Sequence, residues 1–203
     1  MHKLHDPNWQ NRRVRFGIPL AMLGLAFGLF EGNAAMSQSL NQNPNQNPNQ
    51  NMTQKANNEW VLAGSSTLRF LGMRIYEAKL RVAPSFKSSS YHEHALELTL
   101  EYARTLEGRL IAERSLVEMK QLAPIEAEKG KRWLAFMQTA FPNVRAGDRI
   151  TGHHDGKGRV AFSCNGQTNG ELDDPEFAHL FFGIWLDPKT SQPEMRRALL
   201  GSF

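Results

Sequence analysis

The sequence predicts an α+β domain, an antiparallel sheet with helices packed on one face. Three observations predict it. Segments of alternating polarity are joined by hairpin signals, Asp155-Gly156-Lys157-Gly158 and Asn165-Gly166. Two amphipathic helical stretches lie in the middle of the chain. Two short helices with written start and stop signals end it. The order is strands, two helices, strands, two helices.

Residues 60–82 read as one or two strands. From Leu68 onward the even positions Phe70, Arg74, Tyr76, Ala78, Leu80 and Val82 form one phase, while Leu71, Met73 and Ile75 are apolar too. That pattern suits a strand covered on both faces for half its length, with Gly72 marking a bulge or a close approach. Residues 95–102 alternate cleanly, with Leu96, Leu98, Leu100 and Tyr102 on one face and Glu97, Thr99 and Glu101 on the other.

Residues 107–123 are helical, with Ile111, Ser115, Met119 and Leu122 in a stripe widened by Ala112 and Leu116. Arg109 with Glu113 and Arg114 with Glu118 are i,i+4 pairs expected on the wet face. A second helix spans about 126–141, burying Trp133, Leu134, Met137, Ala140 and Phe141 before Pro142 ends it. Short strands fill 149–172. Asp173 or Asp174 then caps a helix that Pro175 opens and Asp187-Pro188 stops. Ser191 is the expected cap of the last helix, with Pro193 in its first turn and Gly201 ending it.

Not all 203 residues belong to one core. Arg12, Arg13 and Arg15 precede an uncharged run from Phe16 to Phe30, and Gly32-Asn33-Ala34 supplies small residues for cleavage. Residues 1–34 read as a signal peptide for a periplasmic or secreted protein, or as a retained inner-membrane anchor. The run is shorter than the roughly 20 residues of a spanning helix. Residues 35–58 repeat Asn-Gln-Asn-Pro and read as a disordered linker. The domain is then 59–203.

Of 24 basic and 20 acidic residues, four and two lie in 1–34, so the remainder carries +2. That balance, without a basic run interleaved with aromatics, argues against nucleic acid as a partner. Cys164 is the only cysteine and excludes an internal disulfide. His153 and His154 point to opposite strand faces, and His92 with His94 lack a third ligand, so no metal is expected. No cofactor is implied, and the oligomeric state is left open.

Three segments carry a resemblance: Leu68-Arg69-Phe70-Leu71-Gly72-Met73-Arg74-Ile75-Tyr76-Glu77-Ala78-Lys79-Leu80, then Glu107-Gly108-Arg109-Leu110-Ile111-Ala112-Glu113-Arg114, then the block from Asp173 to Gly201. In this order they resemble the chalcone isomerase-like proteins of bacteria, over most of 64–201. The resemblance implies an open-faced β-sandwich, a large antiparallel sheet with helices against it. It also implies a cleft that catalytic relatives use for chalcone cyclisation and non-catalytic relatives use for fatty acids. The catalytic relatives place a threonine, a tyrosine, an asparagine and a late hydroxyl in that cleft. The matching positions here are Leu71, Ile111, Glu118 and Leu180, and no arginine stands between Trp60 and Ser66 to match the upstream one. The expectation is therefore a fold without flavonoid cyclisation and without a catalytic residue to name. Leu71, Ile111 and Leu180 become expected pocket wall.

The strand phases bring Arg74 and Tyr76, with Tyr102 and Arg104, toward the apolar side. A buried guanidinium requires an anion. These four residues are the expected binding set for the carboxylate of a fatty acid or similar amphiphile, with an internal ion pair or an outward turn of Arg74 as the alternative. The partner is then a small apolar or amphipathic molecule, with membrane contact only through the N-terminal segment if uncleaved. An isomerase or intramolecular lyase using another polar set, and a cell-envelope scaffold, remain the other readings.

Overall fold

The computed structural model describes residues 60–201 and Phe203. The expected signal peptide and linker lie outside the described residues. Six strands form one antiparallel sheet in sequence order: β1 (Val61–Phe70), β2 (Met73–Val82), β3 (Ala95–Tyr102), β4 (Arg149–Asp155), β5 (Arg159–Cys164) and β6 (Gln167–Asp173). A short 3-10 segment, Ser88–Glu93, joins β2 to β3. Among the described residues four helices, α1 (Gly108–Leu122), α2 (Ala127–Ala140), α3 (Pro175–Leu186) and α4 (Pro193–Leu200), complete the α+β layout. None of the described helices is long and apolar enough to cross a membrane.

Alternation decides which sheet face carries the helices. Ala78, Leu80 and Val82 of β2, Leu96, Leu98, Leu100 and Tyr102 of β3, and Val160 and Phe162 of β5 are all buried. The opposite face is polar, and ion pairs Glu77–Lys79, Arg81–Glu97 and Glu101–Arg149 run across it. The adjacent histidines divide accordingly. His153 packs its ring on Trp60, while His154 is buried and accepts the Gly158 N–H at Nε2, leaving Nδ1 to donate to the His94 carbonyl.

The first hairpin departs from the expected reading. The chain reverses at Leu71-Gly72, whose φ values of 49° and 79° make a two-residue turn of the primed type. A leucine in this left-handed region costs about 1 kcal/mol. The irregularity expected at Gly72 falls instead at Ile75: Leu68 pairs with Tyr76, but Arg69 pairs with Arg74. One extra residue breaks the two-residue period. Ile75 is 3% exposed and Arg74 is turned to solvent.

Helix α3 is the centre of the core. The Asp174 carboxylate caps it by accepting the N–H groups of Glu176 and Phe177, and takes a third bond, at 2.8 Å, from Trp133 Nε1 of α2. Nine of its twelve residues are buried. Phe177 and Phe181 stack one turn apart, and Phe162 of β5 meets Phe181 edge-on at 4.9 Å. The cap expected for α4 is corrected: Gln192 holds that position without a side-chain bond, and the Ser191 hydroxyl is used elsewhere.

Helix α4 lies on β1 so closely that Gly64 cannot carry a side chain. A Cβ there would meet the Ala198 carbonyl oxygen at 2.1 Å and that of Leu199 at 2.7 Å. Both obstacles are backbone, so neither can rotate away. Gly64→Ala is expected to lower unfolding stability by about 2–3 kcal/mol through displacement of α4. A denaturant midpoint equal to that of the parent protein would refute this contact.

Candidate functional site

Tyr76 and Tyr102 face each other directly across β2 and β3, with ring centroids 6.0 Å apart in an edge arrangement. The bulge at Ile75 leaves their phase intact because it lies before Tyr76. Above Tyr76, Trp185 from the last turn of α3 donates its indole N–H to the phenolic oxygen at 3.1 Å. The Tyr76 hydroxyl thus accepts one bond, and its own proton has no acceptor among the described residues. Tyr102 is 3% exposed, and its hydroxyl bonds to no described residue. That hydroxyl keeps some accessible surface, since His92 Nδ1 is the one fully enclosed side-chain N or O atom left without a partner among the described residues.

Burial raises both phenols. Tyr76 is pushed up to about 12 by desolvation; the Trp185 bond and Arg114 work against the rise, and Glu118 adds to it. Desolvation lifts Tyr102 further, with smaller contributions from Tyr76 and Cys164. Both groups are therefore hydrogen-bond donors throughout the neutral range.

Helix α1 supplies the charged border. Ile111, Ser115, Glu118 and Leu122 follow the i, i+4, i+7, i+11 spacing of one helical stripe. Glu118, expected on the wet face, is only 7% exposed. One carboxylate oxygen pairs with Arg114 a turn earlier, and the other accepts the Ser191 hydroxyl at 2.8 Å from the α3–α4 connection. The correction has a simple cause. The stripe that buries Ser115 carries Glu118 inward with it, and two partners meet the carboxylate there. Sequence reading missed Glu118, Arg114, Ser191 and Trp185 as a group, although the spacing from Ile111 to Leu122 already contained Glu118.

The remaining expected site residues separate. Arg74 is exposed and forms no hydrogen bond or ion pair with the described residues. Arg104 lies past the end of β3, half-buried, with a guanidinium nitrogen 3.4 Å from Met73 Sδ. Leu71, expected as pocket wall, sits in the hairpin turn and is 82% exposed. Ile111 is half-buried against the core on the α1 stripe. Leu180 is 5% exposed but lies on a different side of α3 from the Phe181–Trp185 pair. The structure thus brings Tyr76 and Tyr102 together, turns Arg74 out to solvent and leaves Arg104 half-buried against Met73.

A second polar cluster lies at the 3-10 segment. His92 stacks on His179 with centroids 4.4 Å apart, and the Tyr91 hydroxyl donates to the His179 carbonyl at 3.1 Å. Burial and the neighbouring His92 lower the His179 pKa. Among the described residues, no three histidine, cysteine or carboxylate side chains gather as a metal would require.

The sequence matches the chalcone isomerase-like family over residues 45–201. The chain belongs to that family. No curated protein matches the sequence. A solved structure with the same fold is a fatty-acid binding protein of Arabidopsis thaliana, 10% identical, with a TM-score of 0.54 over 70% of this chain and 87% of that one. At this identity the likeness is one of fold. It agrees with the single open antiparallel sheet and its one-sided layer of helices. Of the positions matched to the family's catalytic set, Leu71 points to solvent, Ile111 and Leu180 are aliphatic, and Glu118 alone is polar.

All three tyrosines of the chain, Tyr76, Tyr91 and Tyr102, are raised above the ordinary phenol value near 10. Between pH about 10 and 12 the unfolded chain releases protons that the folded one holds, so stability present below 10 is lost as pH rises. Absorbance at 295 nm is expected to show tyrosinate only as circular dichroism reports unfolding. Ionisation near pH 10 with the fold intact would contradict the burial of these rings.

Removing the Arg114 guanidinium leaves Glu118 enclosed with only the Ser191 hydroxyl. Arg114→Ala is expected to cost about 1–2 kcal/mol, less than a fully enclosed pair because Arg114 is 38% exposed. Glu118→Gln added to it restores most of the loss. Denaturant unfolding of the two single variants and the double variant measures the coupling, and strict additivity would exclude it.

Proposed function

We propose that this protein binds a small apolar or amphipathic molecule, such as a fatty acid, on the helix side of the sheet and does not cyclise flavonoids. One observation carries the reading: Tyr102, buried, and Tyr76, half-buried, stand side by side with phenolic protons that no described residue accepts. Phenolic donors held this far inside a fold normally find a partner. A carboxylate, carbonyl or hydroxyl at the head of an apolar molecule supplies the acceptor, and the apolar side chains of the core to which Tyr76 and Tyr102 belong suit its body. The fatty-acid binding protein of Arabidopsis thaliana with this fold supports the ligand class. The binding set is Tyr76 and Tyr102, with Arg114 and Glu118 at the border, in place of the exposed Arg74.

The same proposal makes the chain an exported one. Arg12, Arg13 and Arg15 followed by the uncharged run to Phe30 are its support, and the destination is the periplasm, the exterior or the outer side of an inner membrane.

A second reading has its own observation. Glu118 and Arg114 are close enough to Tyr76 to act on its ionisation. A carboxylate beside a phenol and an arginine is a polar set capable of proton transfer, so an isomerase of different chemistry is the competing function.

Native mass spectrometry of detergent-free protein is expected to find a co-purifying mass of a few hundred daltons that organic solvent releases. Tyr76→Phe with Tyr102→Phe is expected to weaken binding of a C12–C16 fatty acid by about tenfold, the worth of one or two neutral hydrogen bonds. A ligand-free mass together with no saturable fatty-acid binding would overturn the proposal. Turnover of a small enone that depends on Glu118 would move it to the second reading.

A further inference from the structure

The tip of the first hairpin is built against the interests of folding. Its turn places a leucine at φ 49° and leaves it 82% exposed. Two-residue turns of this type favour Asn or Asp followed by Gly, and a leucine gains nothing there from burial. Met73, directly after the turn, is 42% exposed. Around these two apolar side chains stand three arginines. Arg69 and Arg74 are cross-strand partners, a like-charge pairing that destabilises a ladder. Arg69 bonds the Gly72 carbonyl at 3.2 Å, and Arg104 reaches Met73 Sδ. No carboxylate pairs with any of the three among the described residues, although the sheet's outer face a few residues away is laced with ion pairs.

We propose that the Leu71–Met73 hairpin tip is a docking element for an anionic lipid surface, with Leu71 and Met73 entering the interface and Arg69, Arg74 and Arg104 contacting the headgroups. Apolar side chains at the apex with a basic collar beneath them match the layering of a bilayer, apolar below and negatively charged at the surface. A protein partner carrying an acidic groove would also meet the charge, but a projecting two-residue turn offers it little area, and the apolar apex would need a pocket. The lipid surface satisfies both features at once. This contact does not depend on what Tyr76 and Tyr102 hold.

The test uses the full chain, so that any contribution of the N-terminus is the same in every sample. The label reports the tip alone. An environment-sensitive fluorophore is attached at Met73→Cys in a Cys164→Ser background. The protein is titrated with phosphatidylcholine vesicles containing or lacking phosphatidylglycerol. A blue-shifted, brighter emission is expected on the anionic vesicles and not on the neutral ones. Each arginine near the surface is worth roughly fivefold in partition, so Arg69→Glu with Arg74→Glu should weaken the response by about 25-fold or more. Leu71→Asn should weaken it several-fold while leaving the thermal midpoint unchanged or higher, because asparagine tolerates the left-handed turn. No spectral change on either vesicle, an equal change on both, or a Leu71→Asn variant that binds like the parent would each overturn the proposal. Binding of the labelled tip to an acidic protein in the absence of any vesicle response would overturn it in favour of a protein surface.

Discussion

Helix α3 has no wet side, and the rest of the domain answers that constraint. With nine of its twelve residues buried, it must be enclosed by the sheet below, α1 and α2 to the sides, and α4 with the 3-10 segment at its ends. A helix apolar all round has no stable existence outside such an enclosure. The aromatic contacts from Phe162 through Phe181 to Trp185 fix its height and rotation on the sheet. That rotation aims the Trp185 indole at Tyr76, so the polar interior of the candidate site is a by-product of how the core locks.

The same enclosure explains why charge is tolerated at one edge. Glu118 reaches the interior along the α1 stripe, but Arg114 holds it from the solvent side and Ser191 from the α3–α4 connection. Helix α1 and the α3–α4 connection are tied together at one carboxylate. The arrangement couples the position of α3 to that of α1 at the point nearest the two tyrosines, which makes the border of the site a hinge-free one.

Much of this was legible in the sequence. Asp174, Pro175 and the Asp187-Pro188 stop defined α3, and Asn165-Gly166 defined a hairpin, because each residue there satisfies a local backbone requirement. The β3 alternation placed Tyr102 correctly, since no bulge interrupts it. Failures came where tertiary context overrode local pattern. Leu71-Gly72 lacks the usual first turn residue, so the reversal was hidden inside an apolar run. The bulge at Ile75 then inverted the phase on which Arg74 depended, and it has no signature of its own. Glu118 was misplaced because an i,i+4 ion pair looks the same on a wet face as on a buried one. Helix-to-sheet partners such as Trp185 and Tyr76 are far apart in the chain, and a single sequence carries no record of their meeting.

The contact between Gly64 and α4 has a consequence for the order of assembly. The sheet is a meander, so β4, β5 and β6 pair through short turns as soon as they exist. The helix that covers β1 is drawn from the other end of the chain. Closing so long a loop comes late, after the entropy of the intervening chain has been spent on other contacts. A chain still threading through a ribosome tunnel therefore carries its first hairpin without its roof until residue 200 emerges. During that interval β1 is an uncovered edge, and the domain is most exposed to strand exchange with a second molecule or to capture by a holding chaperone.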